Sequence, residues 1–176
     1  GAHVSARTGK IPVIPQKQAH EESMKLAEAS RGIIPFMEYE VQRFEEESAS
    51  FQAGEQDNTE FTPFRLRQGV YGQRQSDVQM IRVKIPGGIL TPEALEALGT
   101  VAADYAPLQK GHITTRENIQ FHHVPLPGCP DVLRLIGQAG LSTREACGNT
   151  VRNVVSSPTA GVCGDEIFDP TPYLTA

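Results

Sequence analysis

An α+β fold is predicted by three observations: two runs whose polarity alternates residue by residue, two segments with helix start signals, and their order of strand, helix, strand, helix. The first run, Gln79-Met80-Ile81-Arg82-Val83-Lys84-Ile85, puts Ile81, Val83 and Ile85 on one face and Arg82 and Lys84 on the other, and Pro86-Gly87-Gly88 ends it. Thr91-Pro92-Glu93 then supplies an N-cap, a proline at the first helical position and an acid in the first turn, opening a helix with Leu95, Leu98, Val101 and Tyr105 on one side. Residues 112–124 give a second strand, with Ile119 and Phe121 on one face and Gln120 and His122 on the other. Pro130-Asp131 opens a second helix that buries Val132, Leu133, Leu135 and Ile136 and stops at Gly140. A further cationic stretch comes next, Gly148-Asn149-Thr150-Val151-Arg152-Asn153-Val154-Val155. Two strands alone make an incomplete sheet, so something else must complete it.

Ahead of this unit the chain is less regular. Residues 1–18, with Pro12 and Pro15, read as an arm without a core of its own, and residues 19–29 allow a helix anchored by Met24 and Leu26. A second helix is expected over residues 36–49, where Glu45-Glu46-Glu47 forms a solvated face. Residues 52–59 form a linker, marking either a domain boundary or an arm that wraps around the domain C-terminal to it. Residues 61–75 are a short basic stretch containing Arg65, Arg67 and Arg74.

The whole chain sets outer bounds. Its 176 residues suffice for one domain with a sizeable core and equally suit a piece of something larger. With 39% hydrophobic residues and neither a signal peptide nor a long apolar span, a cytoplasmic chain without membrane association is expected. A net charge of -5, with no aromatic ladder, argues against nucleic-acid binding. Cys129, Cys147 and Cys163 show no CxxC spacing and read as free thiols. No metal site is predicted, because neighbouring residues such as His122 and His123 point to opposite faces of a strand.

Three motifs in order carry a resemblance: Met80-Ile81-Arg82-Val83-Lys84-Ile85-Pro86-Gly87-Gly88, Thr114-Thr115-Arg116-Glu117-Asn118-Ile119-Gln120-Phe121-His122, and Gly148-Asn149-Thr150-Val151-Arg152-Asn153-Val154. Together they resemble the first half of the sirohaem-containing nitrite and sulfite reductases, from about residue 61 onward. The resemblance implies a ferredoxin-like half-domain at 61–128, a helical N-terminal extension at 1–60, and the beginning of the sirohaem domain at 129–176. In that family a pseudo-symmetric second half completes the sheet. Family members hold a [4Fe-4S] cluster with four cysteines in two paired motifs, one thiolate bridging to the sirohaem iron. Those cysteines, and a lysine-containing substrate loop, are absent from these 176 residues.

Sirohaem is fringed with carboxylates, so its pocket needs cationic and amide donors. By resemblance Thr114, Thr115, Arg116, Gln120, His122, Asn149 and Asn153 are assigned to the cofactor. Arg82 and Arg152 match the family's anion-binding arginines and are the candidate catalytic residues, binding nitrite or sulfite and polarising its bonds during a six-electron reduction. Lys84 shares the face of Arg82 and is either a site cation or a surface lysine. Arg65 and Arg67 are expected to help close over the cofactor. The implied donor of electrons is ferredoxin or a flavoprotein. Two other readings fit the residues: a stand-alone α+β module that binds an anion or an acidic protein, and a helical arm at 19–49 that docks on a partner.

Overall fold

The structure is a computed structural model describing residues 34–75 and 77–175. The arm at 1–18 and the helix expected at 19–29 lie outside the described residues.

Among the described residues four strands form one antiparallel sheet: β1 (Val70–Gly72), β2 (Val78–Val83), β3 (His112–Ile113) and β4 (Ile119–Pro125), in the order β1-β2-β4-β3. The long pair, β2 and β4, are the two strands the alternation announced. The sheet is wider than expected because β1 and β3, at three and two residues, are too short to show a polarity period. The second predicted strand is a hairpin instead of one run. Thr114 Oγ1 donates to Asn118 Oδ1 at 2.7 Å, and Glu117, at φ 57°, turns the chain between β3 and β4. Side-chain bonds of this local kind compete with a ladder and favour a turn.

β4 also breaks its own alternation. Phe121 and Val124 are both buried, three residues apart. The register slips between Gln79 and Ile81 of β2, and His123 sits at φ 61°, as a β-bulge requires. The bulge returns Val124 to the core and frees the His123 N–H, which donates to Gln73 Oε1 at 2.7 Å.

Among the described residues four α-helices accompany the sheet: α1 (Glu38–Gln52), α2 (Asn58–Arg67), α3 (Pro92–Asp104) and α4 (Cys129–Gln138). Asp57 Oδ1 caps α2 by accepting from the Thr59 and Glu60 N–H groups at 2.7 and 3.0 Å, and Thr91 Oγ1 caps α3 by accepting from Ala94 N at 3.2 Å. α3 is rotated from the predicted phase: it buries Ala94, Leu98 and Val101, Tyr105 is half-buried, and Leu95 is exposed. In α4, Leu135 is only partly covered, while Arg134, which has no place in the apolar pattern, is buried.

A single core joins the sheet to these helices. Phe36, Phe44, Phe61, Ile81, Phe121, Leu133 and Ile136 are fully buried in it, and Phe44, Phe51, Phe61 and Phe64 pack ring on ring at 4.5–6.3 Å. Each such phenylalanine contributes about 1.5–3 kcal/mol by burial. α1 is further latched to α4 by charge. Arg134 donates to Glu38 from Nε and Nη2 at 3.0–3.1 Å, to Glu45 at 3.0 Å and to Asp131 at 3.0 Å. Glu45 reaches the buried Arg134 from an exposed position, its side chain 45% accessible, so Glu45 and Glu46 both keep the solvated role expected of the run while Glu47 is half-buried. Arg144 makes a second latch, pairing with Glu40 and donating to the Ile34 and Pro35 carbonyls. Gly137 permits the close approach of α4 to the start of α1, since a Cβ there would land on Phe36 O.

Candidate functional site

The helix-free face of the sheet carries the polar half of β2 and β4. Arg82 lies directly opposite Gln120, and the hydrogen-bonding pattern orients the Gln120 amide oxygen toward it. In that orientation Gln120 Oε1 accepts from Arg82 Nε at 2.9 Å and Nη2 at 2.7 Å. Arg82 Nη1 donates to Ala146 O at 3.1 Å. A guanidinium has five donor hydrogens. The two left over, one on each Nη, form a fork of the shape that grips a planar oxyanion.

His122 lies beside this pair, and its protonation is set by a short relay. Because Gln73 Oε1 accepts from the His123 N–H, the Gln73 amide nitrogen faces His122 Nδ1, at 3.3 Å. Nδ1 is therefore the acceptor, and the neutral ring carries its proton on Nε2. Partial burial, followed by the neighbouring His112 and His123 and then Arg82, pulls the His122 pKa below the ordinary histidine value, which favours this neutral donor. The His112 and His122 rings are 5.0 Å apart.

The remaining candidates sit at the end of the sheet. Residues 148–155 form no regular strand or helix; they are held by Asn153, which is buried and donates from Nδ2 to Ile85 O at 3.0 Å and Arg116 O at 2.8 Å. Asn153 thus fastens this segment to both the end of β2 and the β3–β4 turn. Thr114 builds that turn, accepting from Arg116 N at 3.2 Å, and Thr115 is exposed beside it. Arg116, Thr150 and Arg152 line one open depression, with Arg152 Nε on Gly148 O at 3.0 Å and Arg116 Nη2 on Asn153 O at 3.5 Å. Lys84 donates to Val151 O at 3.1 Å, and burial lowers its pKa. Asn149 is exposed, outside these bonds.

Among the described residues, Arg82, Lys84, Arg116 and Arg152 form no ion pair with a carboxylate; all four donate to main-chain carbonyls. Arg134 and Arg144, in contrast, are saturated by acids. Neutral carbonyl partners hold a guanidinium in place without cancelling its charge, so a carboxylate or small oxyanion can displace them. The donor set suits a carboxylate-fringed cofactor and an anionic substrate. Cys129, Cys147 and Cys163 are free thiols; Cys129 and Cys147 are buried, and burial raises both pKa values. Among the described residues no group of three or more His, Cys, Asp or Glu is placed to hold a metal ion.

The structure moves one candidate away. Arg65 lies over Gly72 with its guanidinium against the Phe61 ring and its Nη1 on Gln79 Oε1, on the helix side of the sheet, and so does not close over the Arg82 face. Gln73, His112 and Thr150 were not singled out in the sequence, although His112 opens the run read as the second strand and Thr150 lies in the third motif; Gln73 and His112 reach His122 only through the hairpins.

An antiparallel α+β half domain, with a face whose cations Arg82, Lys84, Arg116 and Arg152 are bound by carbonyls, defines the class of protein. The family model described as nitrite/sulfite reductase ferredoxin-like half domain matches residues 71–139, and that segment belongs to this family. The chain is 39% identical over 92 residues to the sulfite reductase [ferredoxin] of Mycobacterium tuberculosis, covering 52% of this chain and 16% of that protein. It is 30% identical over 141 residues to the chloroplastic ferredoxin–nitrite reductase of Arabidopsis thaliana, covering 78% of this chain and 24% of that protein. The solved structure of the M. tuberculosis NirA protein superposes with a TM-score of 0.58 at 32% identity, over 66% of this chain and 24% of that one. The chain therefore spans about a sixth to a quarter of the relatives' length.

Proposed function

We propose that this chain is the front part of a sirohaem-dependent nitrite or sulfite reductase, and that its open sheet face forms one wall of the cofactor and substrate site. The observation that carries this reading is the group of four cations, Arg82, Lys84, Arg116 and Arg152, held by carbonyls and not by acids. Sirohaem, coupled to a [4Fe-4S] cluster, would supply the six electrons that take nitrite to ammonia or sulfite to sulfide.

The chain's own residues bind, orient and supply protons. Arg116, Gln120, His122, Thr114 and Thr115 line the face that meets the cofactor carboxylates, with His122 presenting its Nε2 proton. Asn153 positions the 148–155 segment, and Asn149 and Arg152 project from it. Arg82, fixed by Gln120 and Ala146, offers its free fork to an oxygen of the substrate anion, and Arg152 offers a second guanidinium from the opposite segment. As negative charge builds on the departing oxygen, these groups stabilise it and assist its loss as water. In this reading residues 61–128 are the half-domain, residues 129–176 begin the sirohaem part, and residues 1–60 form the extension. Kinship with ferredoxin-named reductases supports ferredoxin as the donor, with a flavoprotein as the second candidate, and the location in this reading is the cytoplasm.

The test uses the complete protein containing this chain. Sirohaem should copurify with it, and Arg116→Ala should lower the sirohaem-to-protein ratio measured by absorption. A ratio unchanged in that variant would sink the assignment of Arg116, and a complete protein that never takes up sirohaem would sink the reading as a whole.

A further inference from the structure

Among the described residues, Arg65 is a half-buried guanidinium on the helix side of the sheet whose charge has no acid partner. Its Nη1 donates to Gln79 Oε1 at 2.6 Å and its Nη2 to Thr62 Oγ1 at 3.4 Å, both neutral, while its Nε is buried without any acceptor. Burial lowers its pKa, as expected of a cation taken from water without compensation. Arg134 and Arg144, in contrast, are neutralised by acids. Arg65 also borders a polar cavity between α2 and the β1–β2 hairpin, whose lining includes Asn58, Arg74 and Gln79. Asp77 is the acid in that lining, and it makes no ion pair with Arg65 or Arg74. Gly72 is part of the arrangement: a Cβ there would meet the Arg65 guanidinium at 2.5 Å.

We propose that this cavity is a second anion site, on the opposite side of the sheet from Arg82, in which Arg65 and Arg74 bind a small oxyanion. Unused Nη hydrogens on Arg65 and a second guanidinium at the rim supply the donors a carboxylate or phosphate takes up, and the buried, orphaned Nε–H beside them reports on the binding. The proposal does not depend on the reductase reading, since Arg65 and Arg74 have no part in the Arg82 face; Gln73, which bonds His122 and His123, also borders the cavity.

The experiment follows the Arg65 Nε–H signal by nitrogen-15 NMR in the full chain, with inorganic phosphate and then acetate titrated at constant ionic strength. Saturable movement is expected, absent in Arg65→Gln and retained in Arg82→Gln. A response to phosphate alone assigns the site to tetrahedral oxyanions, and a response to both includes carboxylates. Arg65→Gln should also melt no lower than the wild type without anion and lose the phosphate-induced rise in Tm. Should that variant not fold, Arg74→Gln serves in its place and should weaken phosphate binding about fivefold. No saturable shift with either probe, an undiminished phosphate effect in Arg65→Gln, or unaltered affinity in Arg74→Gln overturns the proposal.

Discussion

At the scale of single residues, the contrast between carbonyl-bound and acid-bound arginines separates site from scaffold. Arg82 is held at three of its five donors by Gln120 and Ala146, leaving a directed fork. In the complete protein, Arg82→Ala and Arg152→Ala should each lower turnover about 100-fold or more, as loss of a charge-stabilising donor does, while leaving the cofactor absorption nearly intact. Wild-type turnover in both variants contradicts the assignment. His122 gives a second prediction, on pH. Its pKa is lowered in the fold, so on acidification the unfolded chain takes up the proton first, and stability falls as pH drops below the ordinary value of about 6.5. His122→Gln should flatten that acid-side slope in denaturant titrations run at a series of pH values; an identical slope in both proteins refutes the lowering of the His122 pKa by burial and its cationic neighbours.

At the scale of elements, the buried Arg134 joins α1 to α4 through Glu38, Glu45 and Asp131. Removing one side of such a network strands the remaining charges, so Arg134→Ala should cost about 3–5 kcal/mol of folding free energy in urea titration. A loss below about 1 kcal/mol, the range of exposed pairs, would show the network to be solvated. This scale also shows what the sequence discloses. β2 and β4 were legible because one face of each is apolar, and α3 because of its cap. The phase of α3 was misread since alanine at 94, a weak hydrophobic signal, takes the inward position and Leu95 turns out. The bulge at His123 was hidden, because a positive φ at a non-glycine residue leaves no compositional mark. Arg82, Gln120, Arg116 and Arg152 could be picked out as motifs, whereas the neighbours that orient them, Ala146, Gln73 and His112, come from other segments through tertiary contacts.

At the scale of the whole molecule, one face of the sheet is packed and the other is cationic. No helix among the described residues is long and apolar enough to cross a membrane. The thiols follow the same division of inside and outside: Cys129 and Cys147 are buried with raised pKa values, and Cys163 is exposed. A thiolate-seeking reagent at neutral pH should therefore label one cysteine quickly and two slowly, counted by mass spectrometry; rapid modification of all three contradicts the packing around α4 and residue 147.

The α1 latch bears on how such a module can be exchanged between enzymes. The span that matches the family starts at residue 71, yet Glu38, Phe44 and Phe61, which neutralise Arg134 or fill the core, all precede it. A chimaera spliced at that point would inherit a cation without its counter-ion and a floor without its aromatic filling. Exchanging this half-domain between members of the family thus calls for a junction upstream of Ile34, carrying α1 and α2 along as ballast.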